Sequence, residues 1–184
     1  MKRVVLIGDS IRLRGYGPLI AELLGDDYSV WQSEDNGRFA LYTFQSLQLY
    51  MNQIGGADVV HWNNGNWDMD DIYGDGPMMT EDEYCKTLMR IAKVLKAHAK
   101  KIIFATTTPV KSEYSMSDNE RIQRYNARAV ECLRPMGIEI NDLYPIVFAD
   151  MDRYLSAEDY IHLTKEGAAV CAAAVCASIQ KCCK

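Results

Sequence analysis

Five short apolar runs alternate with amphipathic helical stretches along this chain, and that alternation limits its fold more than any other feature. The runs occupy residues 4–7, 28–31, 58–62, 101–105 and 138–140. The first, Val4-Val5-Leu6-Ile7, is continuously apolar, as a parallel strand buried on both faces should be. Helical patterns fill the intervals. Residues 17–24 end at Gly25, and residues 39–54 are read as one helix stopped by Gly55-Gly56. Thr80-Glu81-Asp82-Glu83 has the form of a capping box, after which Tyr84, Leu88, Ile91 and Leu95 recur at helical spacing. Ser117-Asp118-Asn119-Glu120 is read as a second capping box, leading a helix that turns Ile122, Tyr125, Ala129 and Leu133 inward. A last helix over residues 165–180 takes Thr164 as its cap. This β-α order predicts an α/β fold, a five-stranded parallel sheet with helices on both faces and right-handed crossovers.

The 184 residues fit one domain spanning 1–184, large enough to bury a core without staples. With a net charge of -5 and no basic cluster longer than Lys100-Lys101, nucleic acid and anionic membranes are not expected partners. No segment approaches the ~20 apolar residues of a membrane span, and the opening apolar run is too short for a secretion signal. A cytoplasmic protein is the expectation, although a removed export signal would leave no trace, and the oligomeric state is open. The six cysteines form no Cys-x-x-Cys pair and have no histidine at zinc-ligand spacing. They are read as reduced and structural, with no metal and no cofactor.

Candidate chemistry begins where the first strand ends. In Gly8-Asp9-Ser10, the glycine allows an abrupt turn and the serine falls at a strand-to-helix junction. A hydroxyl there stands at the carboxyl edge of the sheet, where open α/β folds bind ligands. The same residues also suit a plain turn and helix cap. A serine nucleophile needs a base, and the chain has three histidines. His61 falls inside a strand beside Trp62, and His98 lies near a helix end among lysines, leaving His162. Asp159 precedes His162 by three residues, so a helical turn would bring a carboxylate beside the imidazole. Asp-x-x-His is equally the pattern of a capped surface turn.

Taken together, Gly8-Asp9-Ser10-Ile11 near the start and Asp159-x-x-His162 near the end resemble the SGNH, or GDSL-like, hydrolases over nearly the whole chain. The resemblance implies a flavodoxin-like three-layer α/β/α sandwich and metal-free hydrolysis of acyl esters. It implies Ser10 as nucleophile, His162 as base and Asp159 as the residue orienting it. The implied oxyanion hole comprises the Ser10 N–H, a glycine N–H at Gly37, and an asparagine after the third strand. That third block departs from the usual Gly-x-Asn-Asp and reads Asn63-Asn64-Gly65-Asn66-Trp67-Asp68. Asn64 is assigned the donor role, with Asn63 in reserve.

Ser10, Gly37, Asn64 and the stretch 106–109 follow strands one to four, so a parallel sheet places them at one edge. Trp62 and Trp67, with Tyr73, Met78 and Met79 in the long loop after the third strand, are read either as an apolar wall against substrate, Trp62 and Trp67 foremost, or as residues that close the core. The expected activity is a serine esterase acting on short acyl groups, acetyl foremost, on a carbohydrate or similar polar alcohol. The alternatives are a ligand-binding module without catalysis, including a degenerate hydrolase, or a receiver-type domain with Asp9 as phosphoacceptor.

Overall fold

A computed structural model describes residues 1–184. Its centre is a five-stranded, wholly parallel sheet in the order β2-β1-β3-β4-β5. The strands are β1 (Lys2–Gly8), β2 (Tyr28–Gln32), β3 (Val59–Asn63), β4 (Lys101–Ala105) and β5 (Glu139–Asn141). Register sets Gly8 opposite Asn63, and Asn63 opposite Ala105, so the carboxyl ends of the three central strands lie level.

Side-chain parity divides the core. Val4, Leu6, Val59, Ile103 and Ala105 point to one face and pack under α1 (Gly17–Leu24) and the C-terminal helix. Val5, Ile7, Val60, Trp62, Ile102 and Phe104 point to the other, beneath two long helices of the intervening chain. Both faces are covered, which is why the strands are continuously apolar rather than alternating.

The helices between strands differ from expectation in informative ways. Residues 39–54 do not form one helix. They break into α2 (Ala40–Ser46), a 3₁₀ turn over Leu47–Tyr50 and the single-turn α3 (Met51–Ile54). After β3 comes another single turn, α4 (Asn66–Met69), and then α5 (Glu81–His98), whose Thr80–Glu83 capping box is present in full. The cap of α6 (Asn119–Leu133) is Asp118, which accepts from the Arg121 N–H, one residue later than the expected Ser117. Two short turns follow, α7 (Tyr144–Phe148) and α8 (Met151–Tyr154), before α9 (Lys165–Cys182), capped by Thr164 as expected. Cys171 and Cys176 are buried on α9 in the first core half, where burial pushes their thiols up to about 12 and about 11. No helix is long and apolar enough to cross a membrane.

His61 occupies the middle of β3, fully buried, with Nε2 3.2 Å from Asn141 Oδ1 and its ring edge-on to Tyr16. Burial pushes its imidazole down to about 4, from an ordinary value of 6.5. Between those values the unfolded chain binds a proton that the folded chain refuses, so stability falls as pH falls. His61→Gln keeps an N–H for Asn141 and removes the titration. Relative to that variant, the wild type should lose about 3 kcal/mol of unfolding free energy between pH 7 and pH 4. Parallel pH-stability curves from denaturant titration would refute this account.

Candidate active site

The first component is set by the end of β1. Gly8 has φ +145°, and a Cβ there would sit 2.0 Å from Asn63 Oδ1, so the backbone crosses where no side chain fits. Asp9 turns inward. Its Oδ1 accepts from the Ile11 N–H at 2.9 Å and from Asn63 Nδ2 at 2.7 Å, and it is 1% exposed. A carboxylate so enclosed is no phosphoacceptor, which removes the receiver-type alternative. Ser10 then begins a π-helical turn, Ile11–Tyr16, that leads into α1. As the cap residue of that turn, Ser10 has an N–H with no intrahelical acceptor.

A buried arginine ties this corner to the loop after β2. Arg12 donates to the carbonyls of Ser33, Gly8 and Asp35. Burial lowers its guanidinium from the usual value. Gly37 packs on the same point. Its N–H donates to the Gly8 carbonyl at 2.8 Å, and a Cβ there would lie 2.7 Å from both that oxygen and Thr43 Oγ1. Gly37 is therefore a close-approach residue whose N–H is already engaged. This corrects its expected place in the oxyanion hole.

The third component comes from the segment between α8 and α9. Asp159 and His162 do not share a helical turn, as their spacing suggested. They share a tight loop pinned by a Leu155–Leu163 bridge and by the Ser156 N–H to His162 carbonyl bond of 2.8 Å. Within it, Asp159 Oδ1 accepts from the N–H groups of Ile161 and His162, an Asx-type turn, while Tyr160 takes φ +66°. Oδ2 is left for the ring, 2.8 Å from His162 Nδ1, and His162 Nε2 lies 2.9 Å from Ser10 Oγ. Partial burial alone would raise the Asp159 carboxyl. The bonds from the His162 and Ile161 backbone and from the imidazole outweigh it and hold the group below its ordinary value. An ionised carboxylate only accepts, so Nδ1 carries the proton and Nε2 is free to accept from the Ser10 hydroxyl.

The loop after β3 rearranges the expected parts. Asn64 is fully buried and fully committed. Its Nδ2 donates to the Arg38 carbonyl and to Thr43 Oγ1, its Oδ1 accepts from Trp62 Nε1, and its carbonyl accepts from Tyr84 and Thr107. Asn63 is likewise occupied, donating to Asp9 and accepting from the Tyr16 hydroxyl. Both are struts: Asn64 has no donor to spare, and Asn63, held between Asp9 and Tyr16, is not among the residues that line the cavity. Trp62, expected against substrate, is fully buried beside Phe104. Residues 106–109 serve the fold too, with Thr106 Oγ1 bridging Asp142 and the N–H groups of Leu143 and Tyr144.

Asn66 was missed by sequence reasoning. Gly65, at φ +151°, turns the chain so that Asn66 opens α4 facing the Ser10–His162 pair. It is 3% exposed, and its Nδ2 has no partner. The only signal was its position just after that glycine.

These elements enclose a cavity of about 430 Å³ with Ser10, His162 and Asp159 at one end. Asn36, Asn66, Asp70 and Tyr114 give it a polar wall, Trp67, Ile72, Met116 and Ile161 an apolar one, and Arg14 stands at its edge. Trp67 thus sits where it was expected, whereas Met78 and Met79 line a separate groove with Phe39 and Leu41, and Tyr73 is 85% exposed outside both. Among the side chains no group of three or more His, Cys, Asp or Glu residues is arranged to hold a metal ion.

No family model and no curated protein matches the chain. Solved structures do. A lipase/acylhydrolase from Enterococcus faecalis superposes with a TM-score of 0.82 at 20% identity, over 98% of this chain and 96% of that one. An acetylxylan esterase from Geobacillus stearothermophilus gives 0.77 at 19% identity, over 97% and 94%. A GDSL-like lipase from Bacteroides thetaiotaomicron gives 0.71 at 19% identity, over 98% and 88%. With its wholly parallel sheet covered on both faces, the chain has the fold of the SGNH, or GDSL-like, hydrolases.

Proposed function

We propose that the protein is a serine esterase that hydrolyses short acyl esters, acetyl foremost, with Ser10, His162 and Asp159 as its catalytic triad. The observation that carries this reading is the unbroken path Ser10 Oγ–His162 Nε2–His162 Nδ1–Asp159 Oδ2, with steps of 2.9 and 2.8 Å. The fold and the esterases that share it support the same reading.

In this mechanism His162 Nε2 takes the Ser10 proton as Oγ attacks the ester carbonyl carbon. The resulting imidazolium is stabilised by Asp159, whose carboxylate keeps its charge. Collapse of the tetrahedral intermediate breaks the C–O bond to the alcohol, which leaves with the proton held on His162. A water molecule then gives His162 its proton and attacks the acyl-serine, releasing the carboxylic acid and restoring Ser10. Negative charge on the carbonyl oxygen needs aimed donors. We assign these to the Ser10 N–H, at the head of its turn, and to Asn66 Nδ2, which has no partner within the protein. Trp67 and its apolar neighbours offer a face for the C–H surface of a sugar-like alcohol.

Replacing Ser10 by alanine should lower kcat on a short aryl ester by at least about 10³-fold and abolish labelling by a fluorophosphonate. Turnover equal to wild type would end the proposal.

The two asparagine roles separate cleanly. Asn66→Ala should lower kcat roughly 10²–10³-fold with little change in KM, the behaviour of a lost oxyanion donor. Asn64→Ala should instead lower the melting temperature, because it orphans Trp62 Nε1 and takes a donor from the Arg38 carbonyl and Thr43 Oγ1. A large kcat loss in a fully stable Asn64→Ala protein, with Asn66→Ala near wild type, would reverse the assignment.

A further inference from the structure

Nine buried side-chain nitrogen and oxygen atoms in this protein lack a hydrogen-bond partner. Two of them belong to residues that line the cavity beside Ser10: Nδ2 of Asn66 and Oδ1 of Asp70. Native structures keep few such atoms, and each one beside a cavity calls for a partner that the chain itself does not supply. The Asp70 N–H donates to the Asn66 carbonyl at 3.1 Å, so the two residues stand one helical turn apart on the same wall. One carries a spare donor, the other a spare acceptor.

Asp70 is held as a recognition group would be. It is 7% exposed, and the Tyr114 hydroxyl donates to its Oδ2 at 2.9 Å, which fixes the plane of the carboxyl. The nearby Arg121 guanidinium makes no ion pair with it and donates instead to the carbonyls of Met69 and Met116. Oδ1 is therefore claimed by no cation. Burial pushes the Asp70 carboxyl up to about 6, which still leaves it ionised at neutral pH and able only to accept.

We infer that Asp70 determines specificity for the alcohol half of the ester: its Oδ1 accepts a hydrogen bond from a free hydroxyl of a polyhydroxylated alcohol. The inference rests on the esterase reading above, because the cavity is the one that holds Ser10. A short acyl group such as acetyl has no O–H to offer, so the donor must come from the alcohol. A plain alkyl alcohol would enter the same wall and leave a desolvated carboxylate oxygen unpaired, which sites built to bind a hydroxyl penalise strongly. The polyol fills that position, while Trp67 and Ile72 accommodate its C–H faces.

The test compares two esters with the same acyl group and the same three-carbon chain, glycerol 1-acetate and propyl acetate. Wild-type kcat/KM should favour the glycerol ester by roughly 10–100-fold, the worth of a hydrogen bond to a charged group. In Asp70→Asn, which keeps an oxygen for Tyr114 but puts an NH₂ where the free acceptor was, that ratio should fall to near one, mainly through KM. A structural role for Asp70 would lower both esters together and leave the ratio at its wild-type value, overturning the inference. So would a wild-type enzyme with no preference between them. Failure of the esterase reading looks different: neither ester is cleaved and fluorophosphonate leaves Ser10 unlabelled, and the Asp70 assignment then falls with it.

Discussion

The carbonyl of Gly8 accepts hydrogen bonds from the Gly37 N–H and from the Arg12 guanidinium, and the rest of the site depends on that point. Through it the end of β1, the π-helical turn after Ser10 and the loop after β2 are joined. The join requires glycine on both sides. Gly8 crosses against Asn63, Gly37 against Gly8 itself, and in each case an added Cβ would fall well inside contact distance. Ser10 is thus presented by close backbone packing, braced by the buried Arg12 guanidinium. A hydroxyl so placed has little freedom to reorder, and fixed placement of that kind is what preorganised sites rely on.

The support carries buried charge. Arg12 and Asp9 are both enclosed, and burial is the leading influence on each, pushing the carboxyl up and the guanidinium down. Arg12 Nε and Asp9 Oδ2 remain without partners. A pair of apolar residues would hold this corner at lower desolvation cost. What the charged pair adds is direction. Arg12 orders three backbone carbonyls, one at the end of β1 and two in the loop after β2, and Asp9 orders an N–H and the Asn63 amide. The result is a single arrangement of the loops around Ser10.

The Asp159–His162 loop solves the same problem by local means. Oδ1 satisfies two backbone N–H groups and shapes the turn, and Oδ2 holds the imidazole, so one carboxylate both builds the loop and orients the ring of His162. Tyr160 takes a left-handed backbone conformation to make this possible, and the Lys111 N–H donates to its carbonyl to hold it there. On the facing wall, the run from Asn63 to Asp70 alternates support and exposure. Asn63, Asn64 and Asp68 bond inward to the scaffold, and Asn66, Trp67 and Asp70 line the cavity.

The sequence by itself determined the five strands, their parallel order with helices on both faces, and the identity of Ser10, Asp159 and His162 as residues that meet. Apolar continuity, capping boxes and the shared carboxyl edge of a parallel sheet are local or topological properties, readable from residue order. Tertiary structure decided the rest. Asn63, Asn64 and Asn66 are chemically equivalent in the sequence, and which one keeps a free amide depends on Thr43, Arg38, Trp62 and Asp9, drawn from distant segments. Gly37 carried the right residue type in the right interval, yet its N–H was claimed by a carbonyl 29 positions earlier in the chain. Asp159 and His162 were paired correctly on the wrong local structure, because a spacing of three suits an Asx turn as well as a helix. Asp70 and Tyr114 had no signal at all: a hydrogen bond between residues 44 apart exists only once α4 and the loop before α6 have been packed side by side.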